Sequence, residues 1–191
     1  MIERLLLAQP AVAAALAVAA LALDYYTAVY EAWLYHASAK DFVVYEGLYR
    51  LNADVEAIFV RRRLITGRWA VTLVVLALGV VAVWWLLLRQ ADRADVFLIL
   101  MGGLTLTPLS DALTQYRRIM FFREVRRRGG LSGRVVYTRR AALMQRVYEQ
   151  YGFVMLYGLL FLLAGSWFFL GGAAACFVNS RRLRDWTIIK G

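Results

Sequence analysis

The chain has 191 residues, 62% apolar and 19% charged, with 23 basic against 13 acidic residues for a formal net charge of +10 and a mean hydropathy of +0.57. Soluble domains run at about 45–50% apolar and about 25% charged, so this composition excludes an ordinary soluble globule, and it excludes a disordered chain as well. A single Cys176 and a single His36 exclude a disulfide framework, a Cys/His zinc site and bis-histidine haem, each of which needs two such ligands from one chain.

What remains is an all-α polytopic membrane protein, one membrane domain over residues 1–191 with no cofactor. A bilayer-crossing helix needs about 20 mainly apolar residues, and four windows supply them. The first, about 10–34, is Ala-rich early and aromatic late. Glu3-Arg4 ahead of it resembles a signal-peptide start, but the apolar stretch outruns a typical h-region, so an uncleaved first helix is expected. The connection that follows is predicted to hold an amphipathic surface helix over about 52–63. Asn52 would cap it, Asp54 and Glu56 would face the positive end of its dipole, and Arg61, Arg62 and Arg63 the negative end. The second window, about 69–88, has no charge inside it and ends near an interfacial Trp84-Trp85 pair.

The third window, about 96–116, meets Pro108 halfway. Proline lacks an N–H and clashes with the carbonyl four residues back, here Leu104, so the helix either kinks or breaks, with Thr107 as the cap of the new segment. Beyond it, Gly129-Gly130 and Ser132-Gly133 precede a second predicted surface helix over about 138–150. The fourth window, about 151–178, closes against Arg181, Arg182 and Arg184. Gly158, Gly165 and Gly172 repeat every seven residues along it, a small-residue stripe that serves packing within one bundle or a homo-oligomer or membrane complex.

Four spans put seven Lys and Arg residues on the side of the termini and sixteen on the side of segments 35–68 and 117–150. The positive-inside rule then makes both large loops cytoplasmic and both termini external. Arg181, Arg182 and Arg184 oppose that arrangement, and a three- or five-span chain would remove the conflict. Twenty-one arginines against two lysines suggest a GC-rich coding sequence and hence a bacterial cytoplasmic membrane. The arginines Arg117, Arg118, Arg126, Arg127, Arg128, Arg139 and Arg140 are expected to meet anionic lipid headgroups, at roughly 1 kcal/mol each. The competing reading makes them topology anchors. No nucleic-acid-binding module accompanies them, so nucleic acid is not an expected partner.

Ionisable groups inside a span are costly and call for an account. Asp24, Thr27 and Glu31 share one face of the first helix by their i, i+3, i+7 spacing. Helix rise places Glu31 ~5 Å, Asp111 ~9 Å and Asp24 ~15 Å below the cytoplasmic edge. If the first and third helices are neighbours, Asp24, Thr27, Glu31, Thr107 and Asp111 line one polar pocket. Hard oxygen ligands of this kind suit H⁺, Mg²⁺, Ca²⁺ or Mn²⁺. Two readings compete with a cation site: the acids pair with arginines, Asp111 lying seven residues before Arg118, or they line a pocket for a polar lipid or small molecule. No catalytic motif is present. The expected function is therefore a non-enzymatic subunit or lipid-contacting scaffold, with a proton or divalent-cation transport protein as the alternative.

Overall fold

The computed structural model describes residues 2–45, 67–130 and 132–189. A short α1 (Ile2–Ala8) leads through Gln9 into α2 (Pro10–Leu34), where Pro10 occupies the first helical position and its missing N–H removes no intrahelical bond. The last turn of α2 widens to π geometry over Tyr35–Ala39. Then come β1 (Val43–Tyr45), α3 (Gly67–Trp84, continued as a π turn over Trp85–Gln90), α4 (Ala94–Arg127), β2 (Val135–Tyr137), α5 (Arg139–Ala164) and α6 (Trp167–Ile189). Among the described residues the chain is all-α apart from two three-residue strands, and α2, α3, α4 and α5 are long and apolar enough to cross a membrane. The strands pair in parallel, Val43 with Val135 through Tyr45 with Tyr137, and so tie the segments after α2 and α4 together.

Three boundaries differ from those expected. The third helix runs unbroken through Pro108 to Arg127, a length of 34 residues or about 51 Å. That exceeds a hydrocarbon thickness of about 30 Å, so the arginines follow the apolar part as a helical extension. The 151–178 window is two helices. Gly165 adopts φ +62° and its N–H bonds the Phe161 carbonyl, and the Ser166 carbonyl then accepts from Phe169 and Leu170 to start α6. A left-handed terminal residue favours glycine, which has no Cβ to clash. The expected surface helix at 138–150 is the first half of α5: Thr138 caps it, its hydroxyl accepting from the Ala141 N–H at 3.2 Å, but no breaker separates it from the apolar part. The 52–63 helix lies outside the described residues.

The broken window changes the path of the chain. α2, α4 and α6 run one way and α3 and α5 the other. At one end, the Trp84 indole N–H donates to the Leu7 carbonyl and the Ser166 hydroxyl donates to Glu3. At the other, Tyr25 stacks on Trp69, and Leu34, Tyr35, Val43, Ile119 and Phe122 form a small core beneath the strand pair. α4 stands in the middle, with α2 on one flank and α6 on the other, and α3 and α5 lie outside them. The α4–α6 contact is close enough to require glycine: a Cβ on Gly102 would stand 1.8 Å from the Phe168 carbonyl oxygen, and one on Gly171 would stand 1.9 Å from that of Ile99. The expected stripe does not exist as one surface. Gly158 is on α5 facing open space, Gly165 is the turn, and Gly172 packs on Leu106, because the helix ends between them.

Candidate functional site

Asp111, Thr114, Gln115 and Arg118 follow one another at i, i+3, i+4 and i+7, so at 100° per residue they form one polar stripe on α4. The stripe serves α2 at one edge and α5 and α6 at the other. Toward α2, the Gln115 amide is used at both ends: Nε2 donates to Asp24 Oδ1 at 2.6 Å, and Oε1 accepts from the Thr27 hydroxyl at 2.6 Å. One turn further, Arg118 donates to Glu31 from Nε at 2.8 Å and from Nη2 at 3.4 Å. Glu31 is only 1% exposed, so this is a buried charge pair whose forked geometry satisfies both carboxylate oxygens.

Toward α5, Gln150 Nε2 donates to Asp111 Oδ1 at 2.8 Å. Next to this contact lies a partly enclosed cavity of about 160 Å³ among α4, α5 and α6. Its wall carries Asp111, Arg118, Arg146, Glu149, Gln150 and Asn179. It shares Thr114 and Glu149 with an open groove of about 380 Å³ between α4 and α5, where Leu113, Gly152, Phe153 and Leu156 are apolar lining. Arg117 pairs with Glu149 across the groove. Deeper along α4, Ser110 donates to the Leu106 carbonyl and lies 2.8 Å from the Tyr157 hydroxyl, while Thr105 and Thr114 bond the carbonyls four residues back. These hydroxyls are satisfied within the bundle, as a low-dielectric setting requires.

The single carboxylate pocket expected from the sequence is therefore divided. Asp24, Thr27 and Glu31 sit in the α2–α4 contact, and Asp111 sits in the cavity. Arg118 joins the two sets, holding Glu31 while forming part of the cavity wall. Thr107 joins neither hydrogen-bonded set; its hydroxyl is buried without a partner among the described residues. No group of three or more His, Cys, Asp or Glu side chains is placed to hold a metal ion, again among the described residues. Gln150, Arg146 and Asn179 had no signal in the sequence beyond residue type, because their roles come from how α5 and α6 fold back on α4.

The arginine surface divides in a similar way. Arg118 faces the interior at 18% side-chain exposure, whereas Arg127 and Arg128 are 77% and 70% exposed while pairing with Glu124. Arg126 lies over the Trp33 ring, Arg117 is engaged by Glu149, and Arg140 is exposed. The side chain of Arg139 lies outside the described set. Because α6 returns along α4, Arg181, Arg182 and Arg184 stand at the same end of the bundle as Arg117 to Arg140. Among the described residues, fifteen Lys and Arg stand at that end, and only Arg4, Arg89 and Arg93 at the other. Compared with known protein families, curated proteins and solved structures, the chain matches none.

Proposed function

We propose that this chain is a small multi-pass membrane protein of the bacterial cytoplasmic membrane that acts without catalysis, as a subunit or lipid-contacting scaffold. Its arginine-rich end faces the cytoplasm and meets anionic headgroups. The observation that carries this reading is the fifteen-to-three division, among the described residues, of Lys and Arg between the two ends of the bundle. A five-helix path also supports it, since the Arg181–Arg184 cluster no longer stands against the positive-inside rule. Exposed, membrane-proximal arginines attract anionic lipid at roughly 1 kcal/mol each, and salt weakens the attraction.

Neutralising Arg126, Arg127 and Arg128 together to glutamine tests the lipid contact. Uptake of phosphatidylglycerol from mixed micelles is expected to weaken by at most about 3 kcal/mol, and less at high salt. Unchanged uptake would reduce these arginines to topology anchors. Association into a homo-oligomer or a larger complex belongs to the same proposal, and mass measurement of the nanodisc-embedded protein tests it.

A further inference from the structure

We propose that Arg126, held over the Trp33 ring where α2 and α4 meet, docks the phosphate of one anionic bilayer phospholipid, with the stacked Trp33 and Tyr30 rings as the surface on which that lipid lies. The site rests on the anionic-lipid contact of the arginine end and narrows it from a surface to one place.

The arginines at this end of α4 are not equivalent, because most of them already donate to a carboxylate. Arg117 pairs with Glu149 and Arg118 with Glu31, while Arg127 and Arg128 share Glu124 at 2.9 and 2.7 Å. Arg126 has no hydrogen bond or ion pair among the described residues, and its guanidinium carbon stands 5.8 Å from the centroid of the Trp33 ring. A ring face attracts the cation without accepting its hydrogen bonds. The N–H groups in the guanidinium plane therefore remain for an oxygen ligand, in the fork that fits a phosphate. Arg123, one turn earlier, is exposed and likewise without a hydrogen bond or ion pair among the described residues. Two cations with no carboxylate of their own favour a lipid of net negative charge over a zwitterionic one.

Depth makes the ligand a lipid. Trp33 lies 23 residues after Pro10, about 35 Å along α2, which is past a hydrocarbon layer of about 30 Å and inside the about 40–45 Å that includes the headgroups. Trp33 and Tyr30 are each 44% exposed and stack with centroids 5.8 Å apart, an arrangement suited to the headgroup level. Because Arg118 meets Glu31 across the parallel α2 and α4, the Arg126 backbone stands about 9 Å further along the bundle than that of Trp33. The Arg126 side chain thus reaches back toward the headgroup layer. A guanidinium already drawn to that level, and held there by a ring, loses less freedom when a phosphate binds it.

The test uses the purified, delipidated full chain in detergent at about 0.15 M salt, where attraction beyond about 8 Å is screened. It is titrated with phosphatidylglycerol or phosphatidylcholine of identical acyl chains and read by native mass spectrometry. One phosphatidylglycerol per chain is expected to bind ahead of any phosphatidylcholine. Arg126→Gln and Trp33→Leu are each expected to weaken that first binding by about fivefold. Trp33→Phe, which keeps a ring face, and Arg127→Gln, whose guanidinium is held by Glu124, are expected to change it by less than about twofold. Equal losses in Arg126→Gln and Arg127→Gln, or a first binding that survives both Arg126→Gln and Trp33→Leu, would overturn the Arg126 site and leave the anionic-lipid contact standing. Wild-type protein that binds the two lipids alike would overturn that contact itself, so the two readings fail separately. Glycerol phosphate competing with phosphatidylglycerol at equal concentration would overturn the choice of a bilayer ligand.

Discussion

Removing one partner of the Glu31–Arg118 pair is expected to cost more than almost any other polar substitution in the bundle, and the two partners are expected to differ. Breaking a buried pair leaves a charge without compensation, at about 3–5 kcal/mol. Arg118→Gln strands a carboxylate that is 1% exposed, in surroundings too apolar to solvate it, so its loss belongs near ~5 kcal/mol. Glu31→Gln leaves the guanidinium, but Arg118 is 18% exposed and borders the cavity that also holds Asp111 and Glu149. Those carboxylates and any water there relieve it, so the loss belongs near ~3 kcal/mol. Glu31→Gln combined with Arg118→Gln restores a neutral hydrogen-bonding pair and should recover most of the stability, a coupling well beyond the scatter of independent sites. Equilibrium unfolding in mixed dodecylmaltoside–SDS micelles measures all three variants against the wild type. Single losses below about 1 kcal/mol that add in the double variant would refute a buried, coupled pair.

At the α4–α6 crossing, Gly102→Ala and Gly171→Ala push a methyl group into backbone carbonyls and should each cost about 1–3 kcal/mol or more. Gly158→Ala, with open space around it, should be neutral or stabilising by up to about 1 kcal/mol in the same unfolding assay. Equal effects at the three positions would contradict the close crossing. Cysteines placed at Gly130 and Arg182 should resist an impermeant thiol reagent in intact cells while one at Asp92 reacts, against a low background because the native Cys176 is fully buried. Labelling at Arg182 with protection at Gly130 would separate the ends that α6 brings together. Liposomes carrying the wild-type protein should show no flux of H⁺, Mg²⁺, Ca²⁺ or Mn²⁺ under a pH gradient or an imposed potential. Flux that disappears in Asp24→Asn would replace the scaffold reading with transport.

Helix positions were legible where the signal is local. The helix starts expected at about residues 10 and 138 and the uncharged run in α3 rest on signals from immediate neighbours; the structure adds that Pro10 takes the first helical position and that Thr138 caps its helix. The turn at Gly165-Ser166 was hidden, because an apolar run satisfies a bilayer equally well as one helix or as two. The available cue was local: a glycine able to go left-handed, followed by a serine to begin again. Gly102 gave no cue until α6 was known to lie against it. For the polar groups, the spacing of Asp24, Thr27 and Glu31 gave their common face, but partner choice depends on which helices touch. Gln115 and Arg118 fall to α2, and Gln150 reaches Asp111 only because α5 folds back toward α4. Arg118 illustrates the limit best: as a residue type it belongs with the surface arginines, and the buried Glu31 draws it inward.

The sequence of α4 and the sequence of α3 mark opposite positions in the bundle. Lipid tolerates few polar groups, so a helix with neighbours on one flank only must be apolar on nearly every side. α3 fits that condition: its window is the most apolar of the four, and almost none of it is buried by protein. A helix enclosed by others meets protein instead of lipid and can carry polar side chains wherever a neighbour answers them. α4 carries a proline, two glycines, Ser110, Asp111, Gln115 and Arg118, and nearly half of its apolar window is buried. The third window is interrupted by a proline and by polar side chains for the same reason that it sits at the centre. Its polar stripe then follows from position: among the described helices α4 packs extensively on both α2 and α6, so it can place one guanidinium, Arg118, between a buried carboxylate on α2 and a cavity bounded by α5 and α6.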